Sequence, residues 1–183
     1  MDHSTLSGLS GAIYPIMPVT IGEVTKSEFP AWVRSTCQLS PCAEQVMRSS
    51  QFGILPKREE RMLILLSARK LGWIRNPTLT ELFDAEFLRQ WSLANLAGHD
   101  ISLNPAEVGP HLAIQYQDQP VVGRVAIAME PIVWSTLKYP AIFLVERTSE
   151  TSLMLMADWL DPEDDIPLDL LFAFWLQERP KEK

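Results

Sequence analysis

The stretch Pro56-Lys57-Arg58-Glu59-Glu60-Arg61-Met62-Leu63-Ile64-Leu65-Leu66-Ser67-Ala68-Arg69-Lys70-Leu71-Gly72 decides how the chain is read. On a helical wheel of about 100° per residue, Met62, Leu63, Ile64, Leu66, Leu71 and Trp73 share one broad side. Lys57, Arg58, Arg61 and Arg69 share the opposite arc, with Leu65 as the apolar exception among them. Pro56 suits a helix start, and Gly72 suits a left-handed helix exit. The spacing therefore predicts an amphipathic helix over 57–72.

Working outward, similar punctuation recurs on both sides. Ser27 precedes Glu28-Phe29-Pro30 and predicts a helix over 28–36; Ser40-Pro41, closed by Gly53, predicts one over 41–52. Thr78-x-x-Glu81 matches a capping box and opens a helix predicted over 79–97, closed by Gly98, with Leu79, Leu82, Phe83, Phe87, Trp91 and Ala94 as its apolar side. After Asn104-Pro105 the period becomes two. His111 to Gln117 alternates Leu112, Ile114 and Tyr116 with polar neighbours, predicting a strand with one wet face. Asp118-Gln119-Pro120 reads as a turn, and Val121 to Met129 as a less regular strand. Ala141 to Val145 and Leu153 to Ala157 are apolar on both faces and read as central strands joined by a hairpin over 148–151. Pro131 to Tyr139 fits neither period. Pro167 to Gln177, apolar almost all round, reads as a helix, and Ile13 to Val19 as a strand or strap on the body.

The expected fold is thus α+β, with an N-terminal helical group (about 28–97) packed with an antiparallel sheet (about 111–157) and a C-terminal helix. Residues 1–22 form an extended N-terminal segment. Residues 23–183 form a single α+β domain, its helical part at 27–98 and its sheet part at 106–178. With 183 residues, 46% of them hydrophobic, the chain can bury a substantial core. Its longest apolar runs fall far short of the roughly 18 residues of a membrane span, and its start lacks the basic and apolar regions of a secretory signal. A soluble cytoplasmic protein with two reduced cysteines is expected.

Charge is unevenly placed. Residues 1–104 carry ten basic and ten acidic side chains, whereas 105–183 carry six and thirteen, so the net charge of −7 arises in the second part. Asp158, Asp161, Glu163, Asp164, Asp165 and Asp169 fall in one window without a base. That distribution disfavours a nucleic-acid surface; the basic arc of Lys57, Arg58, Arg61 and Arg69 is the one feature pointing that way.

Catalytic signals are sparse. Cys37 and Cys42 form a C-x4-C pair without a second close pair, and His99 and His111 are too far apart in sequence to complete a zinc site by spacing. A Cys37 or Cys42 nucleophile with a His99 or His111 base, or a carboxylate pair, would have to be assembled from scattered residues. The glycines form no phosphate-binding motif. No metal, cofactor or catalytic residue is expected.

What remains is a partner surface. Asp158, Asp161, Glu163, Asp164 and Asp165 supply a negative field, and Phe172, Phe174 and Trp175 supply anchors of the type that dominate interfaces. The expected function is a non-catalytic protein-binding adaptor, accessory factor or assembly chaperone acting through this acidic and aromatic C-terminal region. Its partner is another protein, with a basic surface favoured by charge; a second copy of the chain is the other candidate, and no membrane is involved. The alternatives are a small enzyme with the scattered site described above and a nucleic-acid-binding protein using the basic arc.

Overall fold

The computed structural model describes residues 4–7, 12–117, 123–133, 140–149, 152–159, 161 and 163–180. In chain order the elements are β1 (Ser4–Ser7), β2 (Ile13–Ile21), α1 (Phe29–Arg34), β3 (Gln38–Leu39), α2 (Pro41–Arg48), β4 (Glu59–Ser67), α3 (Leu79–Leu82) and α4 (Ala85–Asn95). They continue as β5 (His99–Ser102), α5 (Val108–Gln115), β6 (Arg124–Ile127), β7 (Ile132–Val133), β8 (Pro140–Ser149), β9 (Ser152–Trp159) and β10 (Leu171–Glu178). The ten strands form one mixed sheet, in the order β1-β2-β4-β10-β6-β8-β9-β3, with β5 also beside β10 and β7 beside β8.

This overturns the expected α+β division. There is no N-terminal helical group over 28–97 packed on a separate antiparallel sheet over 111–157: β2, β3 and β4 from the first part share the sheet with strands from the second, and the helices are short. The pairings β10–β6 and β3–β9 are parallel.

Three segments account for the difference. The expected helix over 57–72 is β4 instead. Its run Met62 to Leu66 is apolar without interruption, so a strand sends alternate residues to two covered faces; Leu63, Ile64, Leu65 and Leu66 are each 6% exposed or less. A helix would have left Leu65 among the cations. The expected C-terminal helix over 167–177 is β10 for the same reason, and its Phe and Trp residues suit a pleated surface. Conversely, the expected strand at His111 to Gln117 is helix α5 and its exit, because Val108, Leu112 and Tyr116, with Gly109 and Ala113, repeat at i, i+4 and are all buried.

Elsewhere the local signals hold. Ser40 caps α2 by accepting from the Ala43 N–H at 3.1 Å, and the Thr78–Glu81 capping box is formed. The helix expected over 79–97 is divided into α3 and α4 at Asp84, whose carboxylate accepts from the Phe87 N–H at 2.7 Å and caps α4. Strands β2, β6, β8 and β9 lie within or across segments read as strands, and β8 pairs antiparallel with β9. The turn at Asp118-Gln119-Pro120 and the hairpin tip at 150–151 lie outside the described residues.

Strand β10 is the centre. It pairs antiparallel with β4 from Leu171↔Ser67 to Leu176↔Met62, and its other edge is shared by β6, parallel to Leu171–Ala173, and β5, antiparallel to Trp175–Glu178. Asn104 fills the corner where β5 and β6 meet, with its Nδ2 donating to Ala173 O at 2.8 Å and to Ala128 O at 3.3 Å. The register divides the sheet into two faces. One carries Phe172, Phe174, Ile64 and Tyr14 and is covered by α3 and α4 through Phe83 and Trp91. The other carries Phe143, Leu63 and Trp175 and is covered by α5, α1 and α2. Helix α5 approaches so closely that a Cβ on Gly109 would lie 2.7 Å from that of Phe143. Among the described residues no helix is long and apolar enough to cross a membrane.

Candidate functional site

Helix α5 presents Glu107, His111 and Gln115, one turn apart, to the end of β2. There the strand's outer edge has run past β1 and needs other partners for its backbone. The Gln115 amide pairs with both backbone groups of Thr20, accepting from N–H at 2.9 Å and donating to C=O at 2.6 Å. His111 Nε2 accepts from the Gly22 N–H at 3.2 Å, and Glu107 Oε1 from the Leu55 N–H at 2.8 Å. The chain leaves β2 through two residues of positive φ, Gly22 (90°) and Glu23 (67°). Only glycine fits the first, since a Cβ there would meet Lys57 O at 2.1 Å.

Burial sets the chemistry of this seam. It pushes the His111 pKa down to about 4, so the ring is neutral at physiological pH, with Nε2 as acceptor and the proton on Nδ1. The edges of Trp32 and Phe29 pack on it with ring centroids at 4.9 and 5.4 Å. Glu107, fully buried, has its pKa raised, chiefly by desolvation; the Leu55 N–H, Arg61 and the Gly22 N–H favour its ionised form, and Glu59 opposes it. The 3.8 Å approach of Glu107 Oε2 to His111 Nε2 is therefore not an ion pair at neutral pH. With its lone pair on the Gly22 N–H, His111 is placed as a structural acceptor rather than a general base. Behind it the Arg61 guanidinium stacks on Trp175, 3.5 Å from the ring centroid, and pairs with Glu59 at 3.0 Å.

The other residues singled out from sequence are dispersed. Phe172 and Phe174 are fully buried, packed edge-on against Phe83, and serve as core residues of β10; Trp175 is half-buried beneath Arg61. The basic arc does not assemble: Lys57 and Arg58 are exposed ahead of β4, Arg61 is buried, and Arg69 pairs with Asp169 at 2.8 Å. The Cys37 thiol is pushed up to about 11 by burial and stays protonated, which disables it as a nucleophile. His99 is held by Ala97 O at 2.8 Å. Among the described residues no three His, Cys, Asp or Glu side chains gather as metal ligands.

The acidic window does stay together. Asp158 lies on β9, and Asp161, Glu163, Asp164 and Asp165 are exposed in the segment leading to β10. That segment is pinned to the β4–α3 connection: the Ile166 N–H donates to Pro77 O at 2.8 Å, Asp165 bridges to Thr78, and the Thr80 hydroxyl donates to Glu163 at 3.2 Å. In the same connection Ile74 is 96% exposed. Sequence reading missed both the α5 seam and Ile74. The seam's signal was present as Glu107-x-x-x-His111-x-x-x-Gln115, which has meaning only once the segment is helical.

Comparison with protein-family models, with curated proteins and with solved structures found no match to this chain.

Proposed function

We propose that the protein is a non-catalytic binding factor that docks a basic surface of another protein on the rim formed by 161–169 and the β4–α3 connection. The observation that carries this reading is Ile74, a β-branched apolar side chain 96% exposed, in the connection to which the segment 161–169, with five exposed carboxylates, is pinned. An apolar knob within a charged field combines a contact that slows dissociation with a field that speeds encounter. Arg69 and Arg75 in this rim are engaged by Asp169 and Glu81, and against the remaining base of the connection, Lys70, the four carboxylates of 161–165 leave negative charge in excess. The unreactive Cys37 thiol and the neutral His111, whose Nε2 is occupied in accepting from the Gly22 N–H, support a role without covalent or acid–base chemistry.

The test uses Ile74→Ser and the triple variant Asp161→Asn, Asp164→Asn, Asp165→Asn, each checked for unaltered thermal unfolding. Proteins captured by the wild type at low salt should be lost with the triple variant and released faster from Ile74→Ser. Identical capture and release kinetics for all three chains would reject the reading.

A further inference from the structure

A cleft of about 370 Å³ adjoins the α5 seam at Glu107 and Leu55, between the α2–β4 connection, the start of α5 and the segment Glu130–Ile132. Its walls include Ile54, Leu55, Pro105 and Pro131, and its two charged lining residues, Glu107 and Glu130, are both acids. Two lining side chains carry buried oxygens without a hydrogen-bond partner: Asn104 Oδ1 and Glu107 Oε2. Asn104 is 5% exposed and Glu107 fully buried. The Asn104 orientation is fixed, because its Nδ2 is needed by two carbonyls, Ala128 O and Ala173 O, so the oxygen is the spare group.

Several of the donors near these oxygens, by contrast, are engaged. A helix start would ordinarily offer N–H groups to an anion. Here the Val108 and Gly109 N–H groups donate to Pro105 O and Ala106 O, Pro110 has no N–H, and the Leu55 N–H is taken by Glu107. A buried acceptor left unmatched is destabilising, and a ligand donor would satisfy it. Apolar walls with spare acceptors and two acids suit a cation that carries hydrogens and an aliphatic stem; a bare metal ion would want more oxygens than this lining gathers.

We propose that this cleft binds a primary ammonium group on an aliphatic stem, with Asn104 Oδ1 and the carboxyl groups of Glu107 and Glu130 as its acceptors. The ammonium can belong to a free alkylamine or to a lysine side chain. The proposal does not depend on docking at the 161–169 rim, and failure of either leaves the other standing. Glu130 and Pro131 also line a second cleft of about 250 Å³ beside Thr80 and Phe83, so a chain bearing the lysine has a path across the surface.

The test is a titration of the full chain followed by amide chemical shifts, with n-butylammonium chloride, n-butanol as the neutral isostere, and N-acetyl-lysine methylamide. Saturable shifts at Gly53, Leu55 and Ile132 with butylammonium, at least ~10-fold weaker with butanol, are expected from loss of a charge-assisted contact. Glu130→Gln, an exposed site, should weaken butylammonium ~10-fold while leaving thermal unfolding unchanged; Ala106→Phe should abolish the shifts by filling the cleft. Tighter binding of the lysine derivative assigns the site to a partner's lysine, and tighter binding of butylammonium to a free amine. Equal responses to butylammonium and butanol, no saturable shift with either ammonium, or an unaffected Glu130→Gln variant would overturn the proposal.

Discussion

Glu107 and Glu81 both stand at helix starts, and the fold treats them in opposite ways. Glu81, in the first turn of α3, is held down to about 2 by the Arg75 guanidinium and by the Thr78 N–H of the capping box, at the surface. Glu107, before the first turn of α5, makes no cap bond of its own helix and is pushed upward by burial. The rim around Glu81 and 161–169 is a region of paired and solvated charge that can change without harm to the core. The α5 seam is a region where polar groups replace missing strand partners and any change reaches the backbone. The same contrast separates Asp169, lowered by Arg69, from His111, lowered by burial.

The contrast can be broken most severely from beneath. Phe174 lies fully buried between the sheet and Phe83, so Phe174→Ala should cost about 3–5 kcal/mol in urea unfolding and remove seam and rim together. A stable Phe174→Ala variant with impaired partner capture would instead make β10 part of the binding surface. Next in size is Gly22→Ala, which combines about 1–3 kcal/mol of left-handed strain with about 1–3 kcal/mol of overpacking against Lys57 O. An unfolding midpoint equal to wild type would refute the role given to this turn.

The pH dependence sharpens the comparison further. His111 has a folded pKa of about 4, below its unfolded value near 6.5, so the unfolded chain binds the proton first. Its contribution is complete above about pH 6.5 and is lost, on the order of 2–3 kcal/mol, as pH falls toward 4. Glu107 has the opposite sign: with a raised folded pKa, its contribution is present below its unfolded value and is lost as pH rises through the folded one. Urea midpoints measured across the acid range should therefore vary less in His111→Gln than in wild type, whereas Glu107→Gln should gain stability relative to wild type at the alkaline end. Parallel curves for all three chains would contradict both assignments. The smallest effect belongs to the rim: Asp169→Asn and Ile74→Ser should leave unfolding within error of wild type. A marked loss in either would place the rim with the core.

Caps made α2 and α3 legible from sequence, because each cap depends on residues within a few positions of one another, and the short apolar runs of β2, β8 and β9 were read as strands. Ser40 needs only the Ala43 N–H, and Thr78 only Glu81. Strands β4 and β10 were not legible, since unbroken apolar runs such as Met62 to Leu66 and Leu170 to Leu176 satisfy a buried helix and a doubly covered strand equally well; the arbiter is what lies on each side. Leu65, misplaced on the basic arc, was the local hint. Helix α5 was hidden by the alternation of Leu112, Ile114 and Tyr116, which hid the i, i+4 set of Val108, Leu112 and Tyr116. With α5 went the site, because Glu107 and Gln115 share a face with His111 only on a helix. The charge of 161–165 was readable in place, whereas its neighbour Ile74 was not, because a lone apolar residue in a connection carries no periodic signal.

The position of β10 between β4 and β6 sets the order of synthesis against the order in the sheet. Its flanking strands emerge well before it does, and until residues 171–178 are made, β4 offers one apolar edge with unpaired backbone groups. At roughly 5–20 residues per second of elongation, that edge stays open for seconds on the ribosome, long enough to capture another nascent chain. A chain interrupted before residue 171 lacks the strand that pairs the two halves of the sheet, and α5, packed on β2, β8 and β9, is then the described element that spans them.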